Sequence, residues 1–176
     1  MSTYAIDVAG VRRELELVEI AGGRKIALLN AAGDTELIVR SIERLLELAP
    51  PFEVILGPAL VGAVLAHQAS VISERPYAVA RKSPPLDAPE PISSIVRSIK
   101  ATHEQRLYLG ARDAATILSK RVLIVDDVVA TGDTLRAVEE LVRVAGGQVA
   151  ARLAIATEGA PRSDVSSLVH LPIFEP

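Results

Sequence analysis

Asp126 and Asp127 are adjacent carboxylates, and Ala130-Thr131-Gly132-Asp133-Thr134 follows shortly after. By type and spacing these residues are the best equipped in the chain to do chemistry. The acids sit at the end of the apolar run Val122 to Val125, which reads as a buried parallel strand. The small polar turn behind them opens a helix. A helix N-terminus offers unpaired backbone N–H groups and the positive end of a dipole, which suits a phosphate. Two carboxylates beside it suit hydroxyl groups or a divalent cation such as Mg²⁺. A sugar phosphate fits the combination.

Three other readings of the run fit it less well. A buried strand ending in a solvated acidic turn does not need the Thr-Gly-Asp-Thr continuation. The acidic half of a nucleoside-triphosphate P-loop needs a G-x-x-x-x-G-K-[ST] run earlier in the chain, and there is none. A phospho-receiver pocket places its paired acids near the N-terminus, whereas these lie two-thirds of the way along.

The elements that must carry the motif are legible from periodicity. Residues 11–20 and 24–30 read as strands joined at Gly22-Gly23, a hairpin. Gly33-Asp34 opens a helix in which Leu37, Ile38, Ile42, Leu45 and Leu46 recur at helical spacing, and Pro50-Pro51 ends it. Glu53 to Leu56 is a short buried strand. Gly57-Pro58 then turns into a second helix reaching about Ser70, with Pro58 in its first turn. Tyr77 to Ala80 is a strand, Arg106 to Leu109 is extended, and Ala111 to Leu118 is a short helix. The motif helix covers about 133–145 and is capped by Gly146-Gly147. Val149 to Ala156 is a further strand, and Ser167 to Phe174 a last short one. Strands alternating with helices predict an α/β fold, a mostly parallel sheet covered on both faces. Ligands in such sheets bind at the carboxyl ends of the strands. Leu56-Gly57, Arg81-Lys82, Asp126-Asp127 and Thr157-Glu158 all fall at predicted carboxyl ends. Residues 83–104 are the one long irregular stretch. Pro84, Pro85, Pro89 and Pro91 block helix over its first half, and its place between two site-bearing strands points to a lid.

Bulk properties narrow the class. A chain of 176 residues, 49% hydrophobic, is one domain by length with room for a sizeable core. The net charge of −3 gives no nucleic-acid footprint. No apolar run of about 18 residues exists to span a membrane. The first residues, Met1-Ser-Thr-Tyr-Ala-Ile-Asp, lack the basic start and apolar core of a signal peptide, so a cytoplasmic protein is expected. The absence of cysteine removes disulfides, thiol nucleophiles and zinc–thiolate sites.

Across Val122 to Thr134 the sequence resembles the type I phosphoribosyltransferases at every position of their signature: apolar strand, two acids, two mostly apolar residues, then Ala/Ser-Thr-Gly-x-Thr. The resemblance spans roughly residues 24–158 and is closest to the purine branch, the adenine and xanthine members. It implies the type I fold as a single domain. The core would cover about 31–158, a small hood 1–30 and 159–176, and a mobile lid 83–104. It also implies a Mg²⁺-dependent transfer from phosphoribosyl pyrophosphate (PRPP) to a purine base, in a homodimer. Asp126 and Asp127 would hold the ribose hydroxyls and, largely through PRPP and water, the metal. Ala130, Thr131, Gly132, Asp133 and Thr134 would hold the 5′-phosphate. Ala80-Arg81-Lys82 matches the basic run that approaches pyrophosphate in purine members, a chemistry suited to forked guanidinium donors.

The base and pyrophosphate sides are less complete. Leu29-Asn30 resembles the Leu-Asn of xanthine members, making Asn30 either a base ligand or a helix cap. Glu158 stands where purine members often place a glutamate. Gly159 follows it where 6-oxopurine members tend to have a lysine, which favours adenine over hypoxanthine, guanine or xanthine. Gly57 to Gly62 occupies the pyrophosphate-loop position, but Leu60-Val61 stands where many members have a small polar or basic residue. Adenine members carry Ser-Leu-Glu-Tyr in the lid. Ser98-Ile99-Lys100-Ala101 is the nearest match, with Lys100 in the acid's place and Glu104 further on, so no general acid is assigned. These departures keep open a non-catalytic regulator that senses PRPP or nucleotide on the same fold. His67, His103, His170 and Tyr108 get structural or weak site readings, and Phe174 either packs or stacks on a base.

Overall fold

A computed structural model describes residues 2–86, 90–96 and 105–176. Among these the elements run β1 (Thr3–Val8), β2 (Val11–Glu19), β3 (Lys25–Leu28), α1 (Thr35–Leu46), β4 (Val54–Pro58), α2 (Val61–Ser73), β5 (Tyr77–Ala80), β6 (Ile92–Val96), β7 (Gln105–Leu109), α3 (Ala111–Ile117), β8 (Arg121–Val129), α4 (Asp133–Val144), β9 (Gln148–Glu158), β10 (Ser166–Leu171) and β11 (Ile173–Phe174). The central sheet has the order β10-β9-β8-β4-β5, and every neighbouring pair in it is parallel.

The apolar runs of β4 and β8 follow from burial on both faces. Ile55, Leu123, Val125, Leu153 and Ile155 point to one side, where they meet α1, α2 and the inner residues of β1 and β2. Val54, Leu56, Val122, Ile124 and Ala154 point to the other, under α3, α4 and β7. Alternate side chains of the same strands thus build two separate cores.

A second sheet, β1-β2-β3-β11, joins the two chain ends into one antiparallel layer. The Gly22-Gly23 hairpin is present, with both glycines at positive φ (85° and 73°). Arg13 of β2 ties this layer to α1: it donates to Asp34 at 2.7 and 2.9 Å and to Glu36 at 2.9 Å. Asp34 is the N-cap of α1 and accepts from the Leu37 N–H at 3.1 Å. α4 ends as expected at Gly146-Gly147. The two N–H groups return to the Arg143 and Val142 carbonyls at 3.1 and 2.9 Å.

The structure departs from sequence expectation in five places, the first being β1, a strand ahead of the expected 11–20 and 24–30 pair. Pro58 closes β4 instead of opening α2, which starts at Val61. β8 runs past the two acids to Val129. The stretch 83–104 is not irregular throughout, because β6 lies within it and pairs antiparallel with β7. Residues 87–89 and 97–104, including Lys100, His103 and Glu104, lie outside the described residues. The tail forms two short strands in different sheets rather than one.

Candidate active site

Connections leave β4 and β8 in opposite directions. β4 leads through α2 to β5 on one side, and β8 leads through α4 to β9 on the other. A crevice opens at such a switch point. Here the register shows where: β4 pairs with β8 only as far as Leu56↔Ile124, whereas β9 stays with β8 to Val129↔Thr157. Past Ile124, β8 keeps one partner and exposes its other edge.

A cavity of about 330 Å³ lies at this place, lined by Pro58, Ala59, Leu60, Val61, Lys82, Gln105, Leu107, Asp126, Asp127, Val128 and Thr134. Both acids are half-buried, and the Asp127 N–H donates to Asp126 Oδ1 at 3.0 Å. Burial first, and the adjacent Asp127 charge second, push the Asp126 carboxyl well above its ordinary range, while Lys82 pulls it back. A second cation in the cavity would relieve this strain. The donor set, two hard carboxylates on an open edge, fits Mg²⁺ shared with substrate oxygens. Among the described residues no cluster of three metal-ligating side chains exists.

The β8–α4 loop lies beside Thr134. Gly132, the N-cap of α4, is left-handed (φ 77°) and brings no capping side chain, while the Asp133 N–H donates to Thr131 Oγ1 at 3.4 Å. Asp133 turns back on the loop: Thr131 Oγ1 donates to its carboxylate at 2.6 Å, and Arg136 pairs with its other oxygen. The β4–α2 loop faces it across the cavity. Gly57 and Gly62 touch there so closely that a Cβ on Gly57 would lie 1.9 Å from the Gly62 carbonyl oxygen, and one on Gly62 would lie 2.6 Å from Pro58 Cδ. The Ala59–Leu60 peptide between them is cis, and α2 also lacks a side-chain cap.

The sequence candidates divide accordingly. Asp126, Asp127, Lys82 and Thr134 share one cavity wall, and Ala130 to Asp133 form the adjoining loop. Arg81 turns instead toward Asp113 of α3, at 3.8 Å, and its backbone exchanges two bonds of 2.8 Å with Tyr108. Asn30 is exposed, and its Oδ1 accepts from the Ala32 N–H at 3.3 Å, leaving the capping of α1 to Asp34. Glu158 ends β9 half-buried, and burial raises its carboxyl above the ordinary range. Phe174 packs edge-on against Tyr4 with ring centroids 5.3 Å apart, and His67 against Tyr77 at 5.6 Å. His170 Nδ1 lies 3.2 Å from Thr157 Oγ1, joining β10 to β9. Gln105 and Leu107 of β7 line the cavity although nothing in their local pattern marks them. Arg162, which bonds the Thr131 carbonyl, was equally silent.

A model of the phosphoribosyl transferase domain matches residues 35–169, which includes both loops and all five strands of the parallel sheet except the last two residues of β10. The chain belongs to that family. Pentosyltransferases are the enzyme class of this phosphoribosyltransferase family. An adenine phosphoribosyltransferase from Thermoanaerobacter pseudethanolicus superposes with a TM-score of 0.71 at 23% identity, covering 89% of this chain and 95% of that one. An APRTase from Giardia lamblia complexed with 9-deazaadenine gives 0.68 at 16% identity, covering 89% and 93%. At these identities the likeness establishes the type I phosphoribosyltransferase fold. An orotate phosphoribosyltransferase of Caldanaerobacter subterraneus subsp. tengcongensis is 34% identical over 97 residues, 55% of this chain and 40% of that enzyme's length. No described helix is long and apolar enough to cross a membrane.

Proposed function

We propose that this phosphoribosyltransferase transfers the phosphoribosyl group of PRPP to a purine, adenine foremost, releasing pyrophosphate. The observation that carries the reading is the shared cavity of Asp126, Asp127, Lys82 and Thr134 at the sheet's switch point. In it Asp126 and Asp127 accept from the ribose hydroxyls. The N–H groups that open α4, with Thr131 and Thr134, bind the 5′-phosphate. Lys82 and the backbone N–H groups of the β4–α2 loop face the pyrophosphate. Mg²⁺, when bound by the acids and PRPP, supplies neutralising charge to the departing pyrophosphate. The protein's own work is positioning and fixed electrostatics around a ribose that becomes cationic.

Adenine is supported by the residue after Glu158. Gly159 has φ 79°, and a Cβ there would meet Ile173 Cδ1 at 3.1 Å, so the backbone itself disfavours the lysine of 6-oxopurine members. The half-buried Glu158 carboxyl at the end of β9 is the acceptor this reading offers to a base edge. Asn30 is the second base ligand of this reading. A homodimer would cover Val64, Val71, Ile72 and Tyr77, large apolar side chains exposed on α2 and β5. The lid role of residues 83–104 and a cytoplasmic location belong to the same reading. A pyrimidine base is the second reading, favoured by the orotate phosphoribosyltransferase relative.

The test is to incubate the protein with PRPP, Mg²⁺ and, separately, adenine, hypoxanthine, guanine, xanthine and orotate, and follow pyrophosphate. Adenine should give the highest kcat/KM. Turnover with orotate alone moves the protein to the second reading. PRPP binding without turnover on any base makes it a sensor instead of an enzyme.

A further inference from the structure

Arg162 lies in the connection between β9 and β10, flanked by the exposed residues Pro161, Ser163 and Asp164. Its own side chain is only 17% exposed. It points inward to the β8–α4 loop, where Nη1 donates to the Thr131 carbonyl oxygen at 3.1 Å. Nε and Nη2 form a fork on the Asp164 carboxylate at 3.1 and 2.6 Å. The guanidinium lies flat against Gly132: a Cβ at that position would be 2.5 Å from Nη1 and 2.8 Å from Cζ. The φ of 77° favours glycine at 132, and any Cβ there would push the guanidinium off the loop. Arg136 of α4 reaches the same Thr131 oxygen at 3.3 Å.

Two guanidinium donors on one carbonyl fix the plane of the Thr131–Gly132 peptide. Because that unit is planar and trans, its N–H points opposite to its C=O. Holding the oxygen toward the arginines holds the Gly132 N–H away from them. Two positive charges here meet two negative ones, Arg162 with Asp164 and Arg136 with Asp133. The cluster therefore adds little long-range attraction for an anion, and its contribution is orientation. Three of the five N–H donors of Arg162 are engaged with Asp164 and Thr131, and the side chain is largely buried against the loop, which suits it to orienting that loop.

We propose that Arg162 is a positioning residue for the 5′-phosphate: it keeps the Gly132 N–H preorganised toward the phosphate from a segment outside the loop. This rests on the PRPP reading above. It also ties the phosphate loop to the segment that carries Glu158, so the two ends of the substrate site share one connection.

Calorimetric titration of the wild type, Arg162→Ala and Arg162→Lys with two ligands tests it: ribose 5-phosphate, and Mg²⁺–pyrophosphate, which has no 5′-phosphate. Arg162→Ala should weaken ribose 5-phosphate about tenfold, the worth of one charge-assisted hydrogen bond, and leave pyrophosphate unchanged. Arg162→Lys keeps a donor for Thr131 and should recover part of the loss. If the alanine variant does not fold, Asp164→Asn, an exposed change that loosens the fork, should weaken ribose 5-phosphate by about two- to threefold with the same selectivity. Unchanged ribose 5-phosphate affinity in the variants, or equal loss of both ligands, overturns the proposal. A wild type that binds no ribose 5-phosphate overturns the PRPP reading itself, and shows it before any variant is compared.

Discussion

The β8–α4 and β4–α2 turns are built alike and furnished differently. Each leaves the carboxyl end of a neighbouring parallel strand and enters a helix whose N-cap residue makes no side-chain cap. Helix α1 is the contrast: Asp34 caps it, Glu36 sits in its first turn, and Arg13 locks both. A helix whose orphan N–H groups are met by its own side chain has no need of a ligand; α2 and α4 have N-cap residues that bring no side chain to theirs, and in α4 the Asp133 N–H meets the hydroxyl of Thr131. The β8–α4 turn surrounds its open N–H groups with hydroxyls, carboxylates and arginines. The β4–α2 turn offers Leu60 and Val61, so whatever it recognises is recognised by backbone. In the proposed PRPP site, side chains would set selectivity at the first turn and shape at the second.

The largest test of that contrast is Asp127→Asn. Losing a charged acceptor for a ribose hydroxyl should lower PRPP affinity by about 10- to 100-fold, read by calorimetry; an unchanged Kd removes the ribose from this edge of β8. On the other turn the vulnerable point is backbone space. Gly57→Ala drives a methyl into the Gly62 carbonyl and should cost about 3 kcal/mol of stability in urea unfolding. A variant as stable as wild type would mean that the loop opens freely.

A pH series sharpens the comparison from the acidic side. Burial and Asp127 raise Asp126 in the folded protein. The folded state then holds its proton to higher pH than the unfolded chain, so this group lowers stability as pH rises above the ~3.9 of an unfolded aspartate. Asp126→Asn removes the penalty. Its Tm should exceed that of wild type at pH 8 and match it at about pH 3, while PRPP binding is lost. A Tm gain that persists in acid would assign the effect to packing. The smallest expected change is Leu60→Ala. Leu60 is 73% exposed, and PRPP affinity should stay within about threefold; a larger loss would put the leucine side chain in contact with the ligand.

Legibility in the sequence followed the range of the interactions. The acid pair and the Thr131–Thr134 turn are local chemistry and could be read directly. Helix α1 was equally clear, because Leu37, Ile38, Ile42 and Leu45 all reach one core. The full length of β8 is not visible in its pattern, because the apolar run stops at Val125 while pairing with β9 continues to Val129. Pro58 suits the first turn of a helix and the end of a strand equally well, and only the Gly57–Gly62 approach decides between them. β6 was hidden by the prolines before it, since its stability comes from β7 and α4 and not from its own alternation. Arg162 carried no local sign at all; its meaning lies in a carbonyl far away in the chain.

The extension of β8 past its acids also sets a timescale. Asp126 pairs with Ala154 and Val128 with Ala156, inside the sheet's longest ladder. Amides in such a ladder exchange with solvent only through the rarest openings of a molecule. Carboxylates carried on it form a stationary platform, and any opening needed to admit a sugar or release a product must be made by the walls around them.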